Sequence, residues 1–243
     1  MKPIIQIMVP VYNEGETVLK LYHNIVNEGV EYDKLFFVYD MESDTSLPFI
    51  KLLAEKDQRV SAFKNNVGKG VVNAMRAGFS EAKPGPFIVV MADCSDKLSV
   101  IPQMIELWTR GSKIVSPSRY MVGGKQHGGP KFKKLLSGLS GRFLSLLGFP
   151  TSDPTNNFKL YDGEWLKSQT IESDGGFEVA LELTGKAFIN SMKITQVPTE
   201  WWDRTDGESN FKLWKWLPKY LRWYLPLVFI TPYRKLSCSR NVN

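Results

Sequence analysis

The stretch Val9-Pro10-Val11-Tyr12-Asn13-Glu14, which ends an apolar run begun at Ile4, decides the fold together with Val89-Val90-Met91-Ala92-Asp93-Cys94-Ser95-Asp96 eighty residues on. Each apolar run stops abruptly at polar groups, as a buried strand does when it reaches the edge of a sheet. In an open α/β sheet, ligands gather at the carboxyl ends of the strands, so these two ends are expected to form two walls of one nucleotide site. The first wall offers a proline, a ring and backbone; the second offers carboxylates.

Working outward, the apolar stretches Ile4 to Val9, Leu35 to Val38, Phe87 to Met91 and Ile114 to Val115 are short, and segments of helical period lie between them. Val18, Leu21, Tyr22, Ile25 and Val26 make one helical stripe, Val72, Met75, Ala77 and Phe79 a second, and Ile101, Met104, Ile105 and Trp108 a third. That alternation predicts βαβ units around a mainly parallel, Rossmann-like sheet flanked by helices. A nucleotide-binding half is expected to about residue 120 and an acceptor half from 121 to 210, with a basic, aromatic segment over 211–243. Residues 122–130, with four glycines and Pro130, read as a mobile loop. A helix is expected from Lys131 to Leu147, its apolar face made by Leu135, Leu136, Leu139, Phe143, Leu146 and Leu147, with Gly148 and Pro150 as the stop. Asp153 to Tyr161 and Ile194 to Val197 read as strands, and Phe177 to Ile189 as a helix.

At 243 residues and 43% apolar content the chain can bury one substantial core. Its net charge of +6 is localised. Neither 119–152 nor 211–243 contains an Asp or Glu, and both carry several Lys and Arg, so these stretches are expected to meet something anionic. The two cysteines, Cys94 and Cys238, suggest neither a disulfide framework nor a zinc site, which fits a reducing compartment. The amino terminus enters a strand without the basic and then apolar run of a signal peptide. The longest late apolar run, Leu225 to Ile230, is far below the roughly 20 residues that span a bilayer. A cytoplasmic location, peripheral at the inner membrane face, is the expectation.

A nucleoside needs a flat surface and fixed hydrogen-bond partners. Pro10 and Tyr12 offer the surface; Glu14 and Asp40 offer acceptors for base or ribose donors. The plain structural alternatives are a rim aromatic at Tyr12 and a helix cap at Asp40. A diphosphate calls for a hard cation between carboxylate and phosphate oxygens, and Asp93 and Asp96, with Ser95 as a minor contributor, suit magnesium or manganese. Here the structural alternative is a capping box. Asn66-Val67-Gly68-Lys69-Gly70 lacks the spacing of a Walker loop, yet it brings backbone N–H groups and Lys69 toward a sugar or phosphate unless it is simply a turn.

Val9-Pro10-Val11-Tyr12-Asn13-Glu14, the aspartates at 40 and 93, Ser118-Arg119-Tyr120, Asp153-Pro154-Thr155-Asn156-Asn157-Phe158 and Arg204-Thr205-Asp206-Gly207-Glu208-Ser209 occur in the order seen in family 2 glycosyltransferases. Over 4–224 the chain resembles the dolichyl-phosphate mannose synthase branch, which implies a GT-A fold. The resemblance implies that Pro10, Tyr12, Glu14, Val38 and Asp40 hold the nucleoside, and that Asp93 is the second aspartate of the metal motif. It puts Arg119 near the donor or acceptor phosphate, Lys133 and Ser137 on an acceptor loop, Arg204 on phosphate from the carboxyl-terminal side, and Asp153 close to the reacting centre. Three departures stand out. The usual Asp-Asp-Gly-Ser is Tyr39-Asp40-Met41-Glu42-Ser43, and the usual Asp-Ala-Asp is Met91-Ala92-Asp93, with Asp96 as a replacement carboxylate. Lys133 stands for an arginine and so lacks its bidentate fork.

The implied chemistry is inverting transfer of a sugar from a nucleotide-sugar donor to a polyprenyl phosphate, with the growing charge on the leaving diphosphate stabilised by the metal, Arg204 and Arg119. A lipid phosphate is already an anion. A glycan hydroxyl, the alternative acceptor, needs a base, for which Asp153 is the first candidate and Glu178 and Glu182, one helical turn apart, the second, the plain alternative for these two being ordinary solvated helix residues. A non-catalytic nucleotide-sugar-binding protein is the rival from another class. In Phe211 to Tyr224, Lys212, Lys215, Lys219 and Arg222 share one helical face among Trp and Tyr, which suits a membrane interface rather than nucleic acid. Pro218 is expected to break or kink that helix unless it begins a second one.

Overall fold

In the computed structural model, which describes residues 3–176, 178–203 and 213–240, strand and helix alternate from the start of the chain. The first half runs β1 (Gln6–Pro10), α1 (Thr17–Asn27), β2 (Lys34–Tyr39), α2 (Leu47–Lys56), β3 (Val60–Lys64), α3 (Val71–Ser80), β4 (Pro86–Val89), α4 (Ile101–Thr109) and β5 (Ile114–Ser118). The second half adds β6 (Lys125–His127), α5 (Lys131–Leu147), β7 (Lys159–Asp162), α6 (Gly163–Lys167), α7 (Val179–Ile189), β8 (Ile194–Pro198), β9 (Glu200–Trp202) and α8 (Leu213–Arg240).

Seven strands form one sheet in the order β3-β2-β1-β4-β7-β5-β8, parallel except for β7, which runs antiparallel to both neighbours. β1 shows why the sheet is buried on both faces. Ile7 and Val9 join the layer made with α1, α2 and α4, while Met8 joins the layer made with α3, α6 and α7. Each such side chain contributes roughly 1.5–3 kcal/mol when fully buried. The one polar side chain of β1, Gln6, is fully buried but satisfied, donating to the Lys83 carbonyl at 3.0 Å and accepting from its N–H at 3.1 Å. From β1 the chain moves outward to β2 and β3, then returns to the other side of β1 as β4. The strand order therefore reverses between β1 and β4, and the carboxyl ends of those two strands flank the crevice where such sheets bind ligands.

Several expectations need correction. The strand expected over Asp153 to Tyr161 exists only as Lys159–Asp162, because Pro154 has no N–H for a ladder and the segment before Lys159 forms turns. Residues 125–127 of the expected mobile loop pair with β9. α2 and the half-exposed edge strand β3 carry too weak a pattern to stand out in the sequence. α8 runs through Pro218, Pro226 and Pro232 without a break, laid against α5 and α7. Of the expected basic stripe, Lys219 pairs with Asp174 at 3.0 Å and Arg222 with Glu172 at 3.3 Å, while Lys212 and the Lys215 side chain lie outside the described residues. Of the expected interface helix, residues 211 and 212 lie outside the described residues.

α5 has the predicted bounds and ends at Gly148, whose φ of 113° is left-handed. Its apolar face, however, is turned outward: Leu135 and Leu139 are each 58% exposed and Leu146 80%. The opposite side is held by small residues and by the fully buried Leu144. Gly138 lies flat on the Tyr120 ring and Gly141 sits against the Ser152 carbonyl, where a Cβ would collide.

Candidate active site

The first wall is built from the β1–α1 and β2–α2 turns. Asn13 is left-handed, with φ of 55°, and its N–H is held by the Asp44 carboxylate at 3.1 Å. The N–H of Glu14 donates to Ser46 Oγ at 3.0 Å, and Asp44 also accepts from the Ser46 N–H at 2.8 Å. This clamp leaves Tyr12 standing into solvent, 55% exposed, at the end of β1. Pro10 and Val38 are buried register partners, and the Val38 carbonyl accepts from the Val11 N–H at 2.9 Å. Asp40 joins β2 to α3: it accepts from Asn65 Nδ2 at 2.8 Å and from the Gly70 N–H at 2.7 Å, just before the first turn of α3. Lys69 is exposed beside that turn.

The second wall follows β4. Val90 still bonds to the Met8 carbonyl, at 3.0 Å, which keeps the following turn beside the end of β1. Cys94 is left-handed, with φ of 57°, so the chain doubles back and the Ser95 N–H reaches Asp93 Oδ1 at 3.2 Å. Ser95 Oγ and Asp96 Oδ1 are shielded from solvent and have no hydrogen-bond partner. Burial, then the negative charges of Asp93 and Asp153, pushes the Asp96 carboxyl up to about 8, against the pull of Arg119 and Lys159. A shielded, unpartnered carboxylate oxygen beside a second carboxylate suits a hard cation. Among the described residues no three His, Cys, Asp or Glu side chains gather to cage a metal. Magnesium and manganese need no such cage when substrate phosphates complete the shell, so Asp93, Asp96 and the Ser95 hydroxyl fit such an ion.

Arg119, directly after β5, forms the third side with Asp153. Its backbone N–H, Nε and Nη2 reach the carboxylate at 3.1, 2.7 and 2.9 Å, and Asp153 is fully buried. Behind them Lys159, also fully buried, donates to the carbonyls of Asp153 at 3.2 Å and Asn156 at 2.7 Å. Burial pulls that ammonium down to about 7, opposed by Asp153 and Asp96. The strand β9 ties this region together. The Trp202 N–H donates to the Ser95 carbonyl at 2.9 Å, while Glu200 takes Lys97 and His127, each at 2.9 Å. Those two partners, Lys97 first, hold the Glu200 carboxyl down to about 2.

The remaining candidates fall elsewhere. Ser137 on α5 shares a hydrogen bond with Thr155, 3.3 Å between hydroxyls. Arg204 with its motif, and the Lys133 side chain, lie outside the described residues. Glu178 and Glu182 are not solvated but fully buried, because α7 is covered on nearly every side. Glu182 is saturated by the Glu172 and Ser173 N–H groups, at 2.7 and 2.8 Å, and by Lys186 at 2.7 Å. Asp44, Ser46, Asn65 and Lys159 escape sequence reasoning. Only Lys159 left a signal, a lysine set between Phe158 and Leu160 in an apolar run.

Residues 6–169 match a family model described as glycosyl transferase family 2. A dolichol-phosphate mannosyltransferase of Pyrococcus furiosus is 30% identical over 223 residues, 90% of this chain, and the match spans 62% of that protein's length. A dolichol-phosphate mannosyltransferase of Saccharomyces cerevisiae is 27% identical over 215 residues, 84% of this chain and 79% of the relative. Among solved structures, glucosyl-3-phosphoglycerate synthase from Mycobacterium tuberculosis, in complex with Mn2+, UDP and glucosyl-3-phosphoglycerate, superposes with a TM-score of 0.64 over 95% of this chain and 80% of its own, at 15% identity.

Proposed function

Since the chain belongs to glycosyltransferase family 2 and has its GT-A fold, we propose that it transfers a sugar, with inversion, from a nucleotide-sugar donor to a polyprenyl phosphate at a membrane surface. The observation that carries the choice of acceptor is the Arg119–Asp153 pair. Asp153 is buried and its carboxylate is held by three hydrogen bonds from Arg119, so it is poorly placed to take a proton from a hydroxyl. A phosphate acceptor is anionic at neutral pH and needs no base.

In this reading an acceptor phosphate oxygen attacks the anomeric carbon from the face opposite the nucleotide. The new C–O bond forms as the bond to the β-phosphate oxygen breaks, and the electron pair leaves with the nucleoside diphosphate. Pro10 and Tyr12 carry the nucleoside, with Glu14 and Asp40 beside it; Asp40 acts largely by fixing the turn before α3. Asp93 and Asp96, with Ser95, would hold magnesium or manganese, which when bound would supply positive charge to the leaving diphosphate. Arg119, Lys69 and Arg204 add positive charge around the phosphates, and Lys133 and Ser137 receive the acceptor phosphate.

The outward face of α5 supports a membrane-bound acceptor. Phe132, Leu135, Leu139 and Leu146 are exposed on a helix with no acid, among the exposed Lys131, Lys134 and Arg142. Such a face suits the headgroup boundary, and among the described residues no helix is long and apolar enough to cross a membrane. The test is incubation with radiolabelled GDP-mannose or UDP-glucose, manganese and polyprenyl phosphate in liposomes. Label in an organic-extractable, acid-labile lipid is expected; label found only in water-soluble polymer would select the glycan acceptor instead.

A further inference from the structure

Glu178 and Ser173 are used by none of the steps above, yet both are buried with unsatisfied oxygens. Glu178 is fully buried; one carboxylate oxygen accepts from the Gly175 N–H at 2.8 Å, and the other, Oε2, has no partner. Ser173 is 1% exposed, and its Oγ is likewise unpartnered. Both line one cavity of about 220 Å³ beneath α8, several times the roughly 30 Å³ share of a water molecule.

The chemistry of the cavity selects its occupant. Its cations are already engaged, Lys219 with Asp174 and Arg222 with Glu172. What remains is a carboxylate oxygen that needs a hydrogen-bond donor and a hydroxyl that takes either role. In the lining Asp174 and Glu178 offset Lys219 and Arg222, so no net charge favours an ionic ligand, and the unpartnered oxygens suit a neutral ligand rich in hydroxyl groups.

Its position bears on the same reaction. Arg76 of α3 donates to the carbonyls of Ile171 and Ser173, at 3.0 and 2.8 Å, and Gly176 packs against Val71 at the start of α3, next to the Gly70 N–H held by Asp40. On its other side Glu178 acts, with Arg119 and Asp153, on the hydroxyl of Tyr220, whose pKa is raised first by burial. Glu178 is thus linked on one side to the start of α3, beside the turn that Asp40 holds, and on the other, through Tyr220, to the Arg119–Asp153 pair. We propose that Glu178 and Ser173 hydrogen-bond hydroxyl groups of the donor's sugar ring and so take part in choosing the sugar. The inference rests on the transferase reading above.

Calorimetry with manganese separates the two. GDP, UDP, GDP-mannose and UDP-glucose are titrated into the full chain and into its Glu178→Gln, Glu178→Leu and Ser173→Ala variants. The nucleoside diphosphate that binds is expected to keep its affinity, while its sugar derivative loses about tenfold or more with Glu178→Leu, the worth of a hydrogen bond to a charged group. Unchanged sugar-nucleotide affinity in all three variants overturns the proposal, as does an equal loss for diphosphate and sugar derivative. If the unaltered chain binds none of the four, the transferase reading itself fails.

Discussion

At the scale of single residues, the centre of the site is a set of buried ionisable groups, Asp96, Asp153, Arg119 and Lys159, of which Arg119 and Asp153 form an ion pair, with Asp93 at the edge. A buried ion pair adds little net stability, but removing one partner strands the other, at a cost of about 3–5 kcal/mol. Asp153→Asn is therefore expected to lower unfolding stability by that order in urea, and Arg119→Met added to it to restore part of the loss. Asp93→Ala should abolish manganese-dependent binding of nucleoside diphosphates in a thermal-shift assay while leaving the melting temperature without ligand within a few degrees. Lys159 gives a pH prediction. Burial brings it to about 7, from an ordinary value of 10.5. Between those values the unfolded chain binds more protons than the folded one, so stability attributable to Lys159 rises from about pH 7 to about pH 10.5. Urea midpoints over that range should show a shallower rise for Lys159→Met than for the native chain. Asp93 and Asp96 were legible in the sequence because two carboxylates after an apolar run signal a strand end. The saturation of Asp153 was not, since its partner lies 34 positions away.

Among the elements, α5 teaches most. Its end could be read from Gly148, but its orientation could not, because an apolar face is ordinarily the one that packs inward and the sequence does not show which glycines approach backbone or a ring. The backbone contacts of Gly138 and Gly141 decided the matter. Gly141→Ala is expected to push the helix off the Ser152 carbonyl and to destabilise by about 1–3 kcal/mol, as overpacking does, measurable by chemical denaturation. Leu139→Glu with Leu146→Glu touches only exposed positions, so stability should change by less than about 0.5 kcal/mol per site. Flotation with anionic liposomes should nevertheless fall severalfold; undiminished binding would remove α5 from the membrane face. α8 shows the converse: its prolines read as breaks, yet packing against α5 and α7 carries the helix through them.

For the whole molecule, the amino-acid sequence by itself determined the α/β class, the strands β1, β2, β4, β5 and β8, the two polar strand ends and the order of motifs that marks family 2. Hydrophobic period and turn chemistry are local, so a linear reading recovers them. Only the tertiary structure decided that β4 returns beside β1, so that the turn carrying Asp93 and Asp96 follows a strand next to the one that leads into Tyr12, and that β7 enters antiparallel to set Lys159 behind Asp153. It alone also decided that Glu178 and Glu182 are interior and that Leu135, Leu139 and Leu146 of α5 face out while Leu144 faces in. These are matters of which surfaces meet at long range, and burial, charge pairing and access to solvent exist only once they have met.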